Sequence, residues 1–292
     1  MATLAELRRK TRHLLSRTVG SIARPSKGNW RSVGPVTDFA IVGFPKCGTT
    51  ALARFFETNE DVQLAKLNGR YESPYFKVGG RDPGPDYRPG AANGHKFTSY
   101  AYSRAALRRL YDSNPELLFV FCVREAKPAM LSWRRMHSLI AERGTPETHP
   151  VNRSAESRAF YQSCSAEAYF EAYADERLNY AQLIERFRTA LPEARFVVTS
   201  QGRLAQDAAG VMTALLSKLG IAPSAGYLAK LPKRHDSYGQ RATTELSPEL
   251  AAALTKKDEE LFALIDSLPP EQNLTLRQPE FREREGSPEN AL

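Results

Sequence analysis

Cysteine is scarce in this chain. There are three in 292 residues, Cys47, Cys122 and Cys164, and no C-x-x-C pair. An odd, widely spaced set argues against a disulfide framework or a cysteine-based zinc site and suits a reducing, cytoplasmic setting. Long apolar runs are missing as well: no stretch reaches the roughly 20 residues that cross a bilayer. The basic N-terminus is not followed by the apolar segment of a secretory signal. An excess of positive charge is missing everywhere except that N-terminus. The formal net charge is +8, but residues 1–31 carry eight of the 41 Lys/Arg and one of the 33 Asp/Glu. The remainder is therefore close to neutral, which gives no basis for a nucleic-acid partner. The N-terminal charges interleave with Leu4, Leu7, Leu14 and Leu15. That pattern is open to a basic amphipathic helix in peripheral contact with a membrane or partner, a transit-like segment, or a solvated leader.

What the chain does have is Phe39 to Phe56, FAIVGFPKCGTTALARFF. The apolar run Phe39-Ala40-Ile41-Val42 predicts a buried strand, Gly43 to Gly48 a tight loop, and the residues from Thr49 a helix with Leu52, Phe55 and Phe56 on one face. Strand, glycine-bounded loop and helix start together make an anion cradle, because loop amides and the positive helix end converge. The Gly43-x-x-x-x-Gly48 spacing is half of a nucleotide-binding loop. The other half, Lys followed by Ser/Thr after the second glycine, is lacking. Thr49 and Thr50 stand there instead, and the lysine lies inside the loop as Lys46, beside the end of a short anionic tail.

With those residues in view, Pro45-Lys46-Cys47-Gly48-Thr49-Thr50-Ala51-Leu52 resembles the 5′-phosphosulfate loop of sulfotransferases that use 3′-phosphoadenosine 5′-phosphosulfate (PAPS). The resemblance implies a three-layer α/β/α domain with a central parallel sheet, similar to P-loop nucleotide-binding folds. It also implies a donor held by Lys46, Cys47, Gly48, Thr49, Thr50 and Ala51, a PAP product, and no metal.

A second anchor is Arg124, which closes the apolar run Leu117 to Val123, with Ser132 eight positions later in the next helix. That spacing is similar to the family's 3′-phosphate motif, although Glu125-Ala126 replaces its usual Asn-Pro. Tyr71-Glu72-Ser73-Pro74-Tyr75-Phe76 resembles the Lys-Glu-x-x-Phe-Phe segment of the carbohydrate type, whose glutamate is the base; Tyr71 replaces the lysine. On the same alignment Lys96 corresponds to a lysine that contacts the sulfuryl group. His95 is the second candidate base. Ser237, Tyr238 and Gly239, in the late basic loop Lys233 to Arg241, match the family's loop over the 3′-phosphate. The implied activity is transfer of a sulfuryl group to a hydroxyl of a carbohydrate or other small acceptor.

Two alternatives stay open. A P-loop small-molecule or nucleotide kinase would share the loop and sheet, but should show Lys-Ser/Thr after Gly48 and an Asp closing a strand for Mg²⁺. A non-catalytic nucleotide-binding relative is the other. Along the chain, the expected organisation is a basic leader and linker (1–36), a catalytic domain (37–272) and a polar tail (273–292). Further strands are expected near Val62 and Phe196, a loop over 77–94, one helical stretch from Ser157 to Ala190, and a long helix from Pro248.

Overall fold

A computed structural model describes residues 37–66, 71–72, 76, 90–144, 151, 154–231 and 245–275. The first half runs β1 (Phe39–Gly43), α1 (Thr49–Glu57), β2 (Val62–Leu64), β3 (Ala92–Lys96), α2 (Arg104–Ser113), β4 (Leu118–Val123) and α3 (Ala126–Arg143). The second half runs α4 (Ala155–Ser163), α5 (Ala166–Tyr169), α6 (Tyr180–Ala190), β5 (Phe196–Ser200), α7 (Gln201–Gln206), α8 (Ala208–Lys218), α9 (Ala225–Lys230), α10 (Pro248–Ser267) and β6 (Asn273–Leu274).

The six strands form one parallel sheet in the order β2-β3-β1-β4-β5-β6. Its centre is built from the two most continuous apolar runs. β1 and β4 are buried along their whole lengths, as central parallel strands covered by helices on both faces must be. Phe39 packs on Phe56 of α1 at 4.4 Å between ring centroids, and Phe121 packs edge-on against Phe187 of α6 at 5.1 Å. After β1 the chain adds β3 and β2 on one side, then crosses to add β4 on the other. The carboxyl ends of β1 and β4 therefore flank a topological switch point, where open parallel sheets bind ligands.

Three elements differ from the sequence expectation. β3 lies in what read as loop, because Ala-Asn-Gly-His-Lys carries turn residues and little β-propensity. The reason for the glycine is tertiary: a Cβ on Gly94 would sit 2.2 Å from the Phe39 ring. The helical stretch after Ser157 is broken, since Cys164 is extended and Ser165 caps a new helix by accepting the Ala168 N–H. Finally, β6 pairs with β5 just past the expected domain limit at residue 272. The expected leader (1–36) lies outside the described residues, and of the expected tail only 273–275 are described.

Candidate active site

The loop leaving β1 is held in an unusual backbone state. Lys46 has φ 67° and Gly48 φ 84°. A left-handed lysine costs on the order of 1–3 kcal/mol, and such strain concentrates at functional sites. Gly48 is the N-cap of α1 and offers no side-chain oxygen. Several other helices carry side-chain caps, Ser103, Ser154, Ser200, Asp207 and Ser247 each accepting a first-turn N–H, whereas the N-cap residues of α3 and α6 also lack one. The first turn of α1 thus has no such cap, which suits an external anion. Thr50 is exposed at this end, while Thr49 is buried and Ala51 half-buried. Cys47 is wholly buried. Burial pushes its thiol up to about 12, against the opposing effect of its bond to Tyr180. A buried, protonated thiol of this kind is a poor nucleophile.

Arg124 stands at the end of β4, directly beside this loop. Its Nη1 donates to the Lys46 carbonyl at 3.3 Å, and its Nε is buried with no hydrogen-bond partner among the described residues. A guanidinium with an unused buried donor is suited to an anion. The Lys46 ammonium lies 3.7 Å from the Met136 sulfur of α3. Its pKa is lowered, first by burial and second by repulsion from Arg124. Ser132 is half-buried one turn before Met136, and residues four apart share a helix face. That face of α3 is therefore turned toward Lys46. Lys46 and Arg124, separate in sequence, meet at the switch point, and Ser132 lies on the same α3 face as Met136.

Glu72 and Lys96 form a second pair at the neighbouring strand end. Glu72 bridges Lys96 in parallel as a short extension of the sheet. Its Oε1 accepts from the Lys96 ammonium, and its Oε2 accepts the Thr98 N–H at 3.3 Å. The lysine side chain is 2% exposed and the glutamate 42%, so the carboxylate is presented outward by a buried cation. Tyr71 turns away and donates to Glu57 of α1. His95 sits on the other face of β3, since strand side chains alternate. It is fully buried, edge-on to Phe76 at 5.2 Å. Ser237, Tyr238 and Gly239 lie outside the described residues.

Sequence reasoning missed several neighbours. Gln201, at the carboxyl end of β5, packs where Gly48 lacks a side chain: a Cβ there would lie 3.2 Å from Gln201 Cγ. The strand-end rule used for Arg124 could have found it. Asp258 of α10 accepts the Ala126 N–H at 2.7 Å. It caps α3 beside Arg124, at the position where the family motif would place a proline that has no N–H. No local signal marks Asp258. Among the described residues no cluster of His, Cys, Asp and Glu is arranged to hold a metal, and no helix is long and apolar enough to cross a membrane.

Among solved structures, the chain is similar to a sulfotransferase from Alicyclobacillus acidocaldarius, with 20% identity over 85% of this chain and 98% of that one, and a TM-score of 0.52. The fold is that of a sulfotransferase. No family model and no curated protein sequence matches the chain.

Proposed function

We propose that the protein is a PAPS-dependent sulfotransferase acting on a hydroxyl of a carbohydrate or another aliphatic alcohol. The observation that carries this reading is the meeting of Arg124 with the Lys46 loop, one strand away from the Glu72–Lys96 pair. A doubly anionic nucleotide needs two cationic contacts at one sheet end, and an acceptor needs a base beside them. The buried, unused Nε of Arg124 and the absence of a side-chain cap on α1 fit the two phosphate ends of such a donor.

When bound, PAPS supplies the sulfuryl group. The α1 amides and Thr50 hold the 5′ end, and Arg124 with Ser132 holds the 3′-phosphate. Glu72 takes the proton from the acceptor hydroxyl as its oxygen forms a bond to sulfur. Lys46 offsets the charge that collects on the bridging oxygen as the sulfur–oxygen bond to PAP breaks. Lys96 holds Glu72 in place, and the resemblance carries the proposal that its ammonium contacts the sulfuryl oxygens. In-line displacement of this kind needs no covalent enzyme intermediate. Glu72 is favoured over His95 as base because its carboxylate is presented outward, whereas the imidazole is enclosed.

Thermal melting with PAP, ADP and AMP tests the donor. A ligand at a hundred times its dissociation constant adds about 2.7 kcal/mol. PAP-selective stabilisation, with PAPS turnover that persists in a chelator, is the expected result. Stabilisation by ADP and AMP equal to that by PAP would overturn the reading.

A further inference from the structure

Between α5 and α6 the backbone leaves the α-helical path. Phe170–Ala174 forms a π-helical turn and Glu176–Leu178 a 3₁₀ turn. Single π-turns of this type are rare and recur at functional sites. Here the two turns bring Tyr173 and Arg177 together. The Arg177 guanidinium carbon lies 4.5 Å from the Tyr173 ring centroid, 5.4 Å from Tyr102 and 5.8 Å from Trp133. The Tyr102 hydroxyl donates to the Arg177 carbonyl at 3.2 Å, which fixes the residue against that ring. Adjacent Asp175 pairs with Lys257 rather than with Arg177. Among the described residues no carboxylate pairs with Arg177. Ring faces offset part of the dehydration of a half-buried guanidinium, but they give its N–H fork no acceptor.

The frame is tied to both walls of the switch-point cleft. Trp133 follows Ser132 in α3, three residues before the Met136 that touches Lys46. Tyr102 packs edge-on at 5.8 Å against Phe44, the residue that leads from β1 into the anion loop. Tyr102, Tyr173 and Arg177 are each half-buried.

We propose, resting on the sulfotransferase reading above, that Arg177 and this aromatic frame form an anion subsite for a carboxylate or sulfate carried by the acceptor. The chemistry of a guanidinium fork would also suit the donor's 3′-phosphate. That group already has Arg124 and Ser132, so the acceptor is the source assigned here.

The test compares wild type, R177Q and R177K on two oligosaccharides of equal length, one containing glucuronate where the other contains glucose. PAP-induced melting shifts are recorded for all three proteins. Wild type should show kcat/KM at least tenfold higher for the acidic acceptor. R177Q should bring the two acceptors level, R177K should fall between, and the PAP shift should be the same in each. Melting of the PAP-loaded proteins with each oligosaccharide gives the same comparison without turnover. If R177Q does not fold, R177K carries the comparison. Loss of the PAP shift in the variants, with acceptor preference intact, would assign Arg177 to the donor and overturn the proposal. So would a wild type that binds PAP but shows no acidic preference. A wild type that PAP fails to stabilise would sink the sulfotransferase reading itself, and the subsite with it.

Discussion

Arg124 Nη1 and the Lys46 carbonyl oxygen are 3.3 Å apart, although 78 positions separate them in the chain. Two motifs that were independent in the sequence thus lie side by side. The guanidinium supports the loop through one arm, and its Nε is buried without a hydrogen-bond partner among the described residues.

Replacing Arg124 with alanine should weaken PAP by about 1.5–3 kcal/mol, roughly ten- to hundredfold, the worth of hydrogen bonds to a charged group. AMP, which lacks the 3′-phosphate, should lose much less. Titration calorimetry of both ligands checks this. Equal losses would mean that Arg124 acts only by supporting the Lys46 loop.

Glu72 and His95 separate cleanly by mutation. Glu72→Gln keeps an oxygen for Lys96 but cannot accept the proton, so kcat should fall about 10²- to 10⁴-fold with PAP affinity unchanged. His95→Gln should lower the melting temperature, because His95 is enclosed against Phe76, while kcat of the folded fraction is retained. The opposite pattern would make His95 the base.

Lys46 carries a pH prediction. Its folded-state pKa is depressed, by burial first and Arg124 second. Between that value and its ordinary one, the unfolded chain binds the proton more tightly. This group therefore adds stability as pH rises through the window and detracts from it below. PAP affinity should begin to fall at a pH below that of an ordinary lysine, and Lys46→Arg should push that limb upward. Lys46→Ala should cost about 10²- to 10³-fold in kcat, as loss of one charge-stabilising donor does. An alkaline limb unmoved by Lys46→Arg would assign it to another group.

The three thiols are all buried, and Cys47 is pushed up to about 12. Ellman's reagent should find no fast-reacting thiol in the native protein and three in guanidinium. A fast native thiol at Cys47 that PAP protects would restore it as a reactive group.

Gly48→Ala should destabilise the fold by about 1–2 kcal/mol through its left-handed backbone alone. It should also press on Gln201, 3.2 Å from the new Cβ. Chemical denaturation measures the first effect. A variant as stable as wild type would mean that the loop rearranges freely.

Much of this was legible locally. The run Phe39 to Phe56 fixed strand, loop and helix through hydrophobic patterning and two turn positions, and the Leu117 to Val123 run marked a central strand ending at Arg124. β3 was hidden because its strand character comes from its neighbours. Gly94 and Asn93 read as a turn until Phe39 fills the space over one and Asp38 binds the N–H of the other at 2.7 Å.

The sequence by itself determined the strand–loop–helix order around Gly43 and Gly48, since apolar runs and glycines act locally, though not the left-handed backbone of Lys46. It also determined the apolar strands around which helices must pack. Only the tertiary structure decided that Arg124 supports Lys46, that Glu72 pairs with Lys96 while His95 turns inward, and that Asp258 caps α3. Those contacts depend on strand order, on the pairing of β3 and β4 with β1, and on α10 lying beside the start of α3. Side chains far apart in the chain meet only once parallel strands have been aligned by long crossovers, a relation no local pattern encodes.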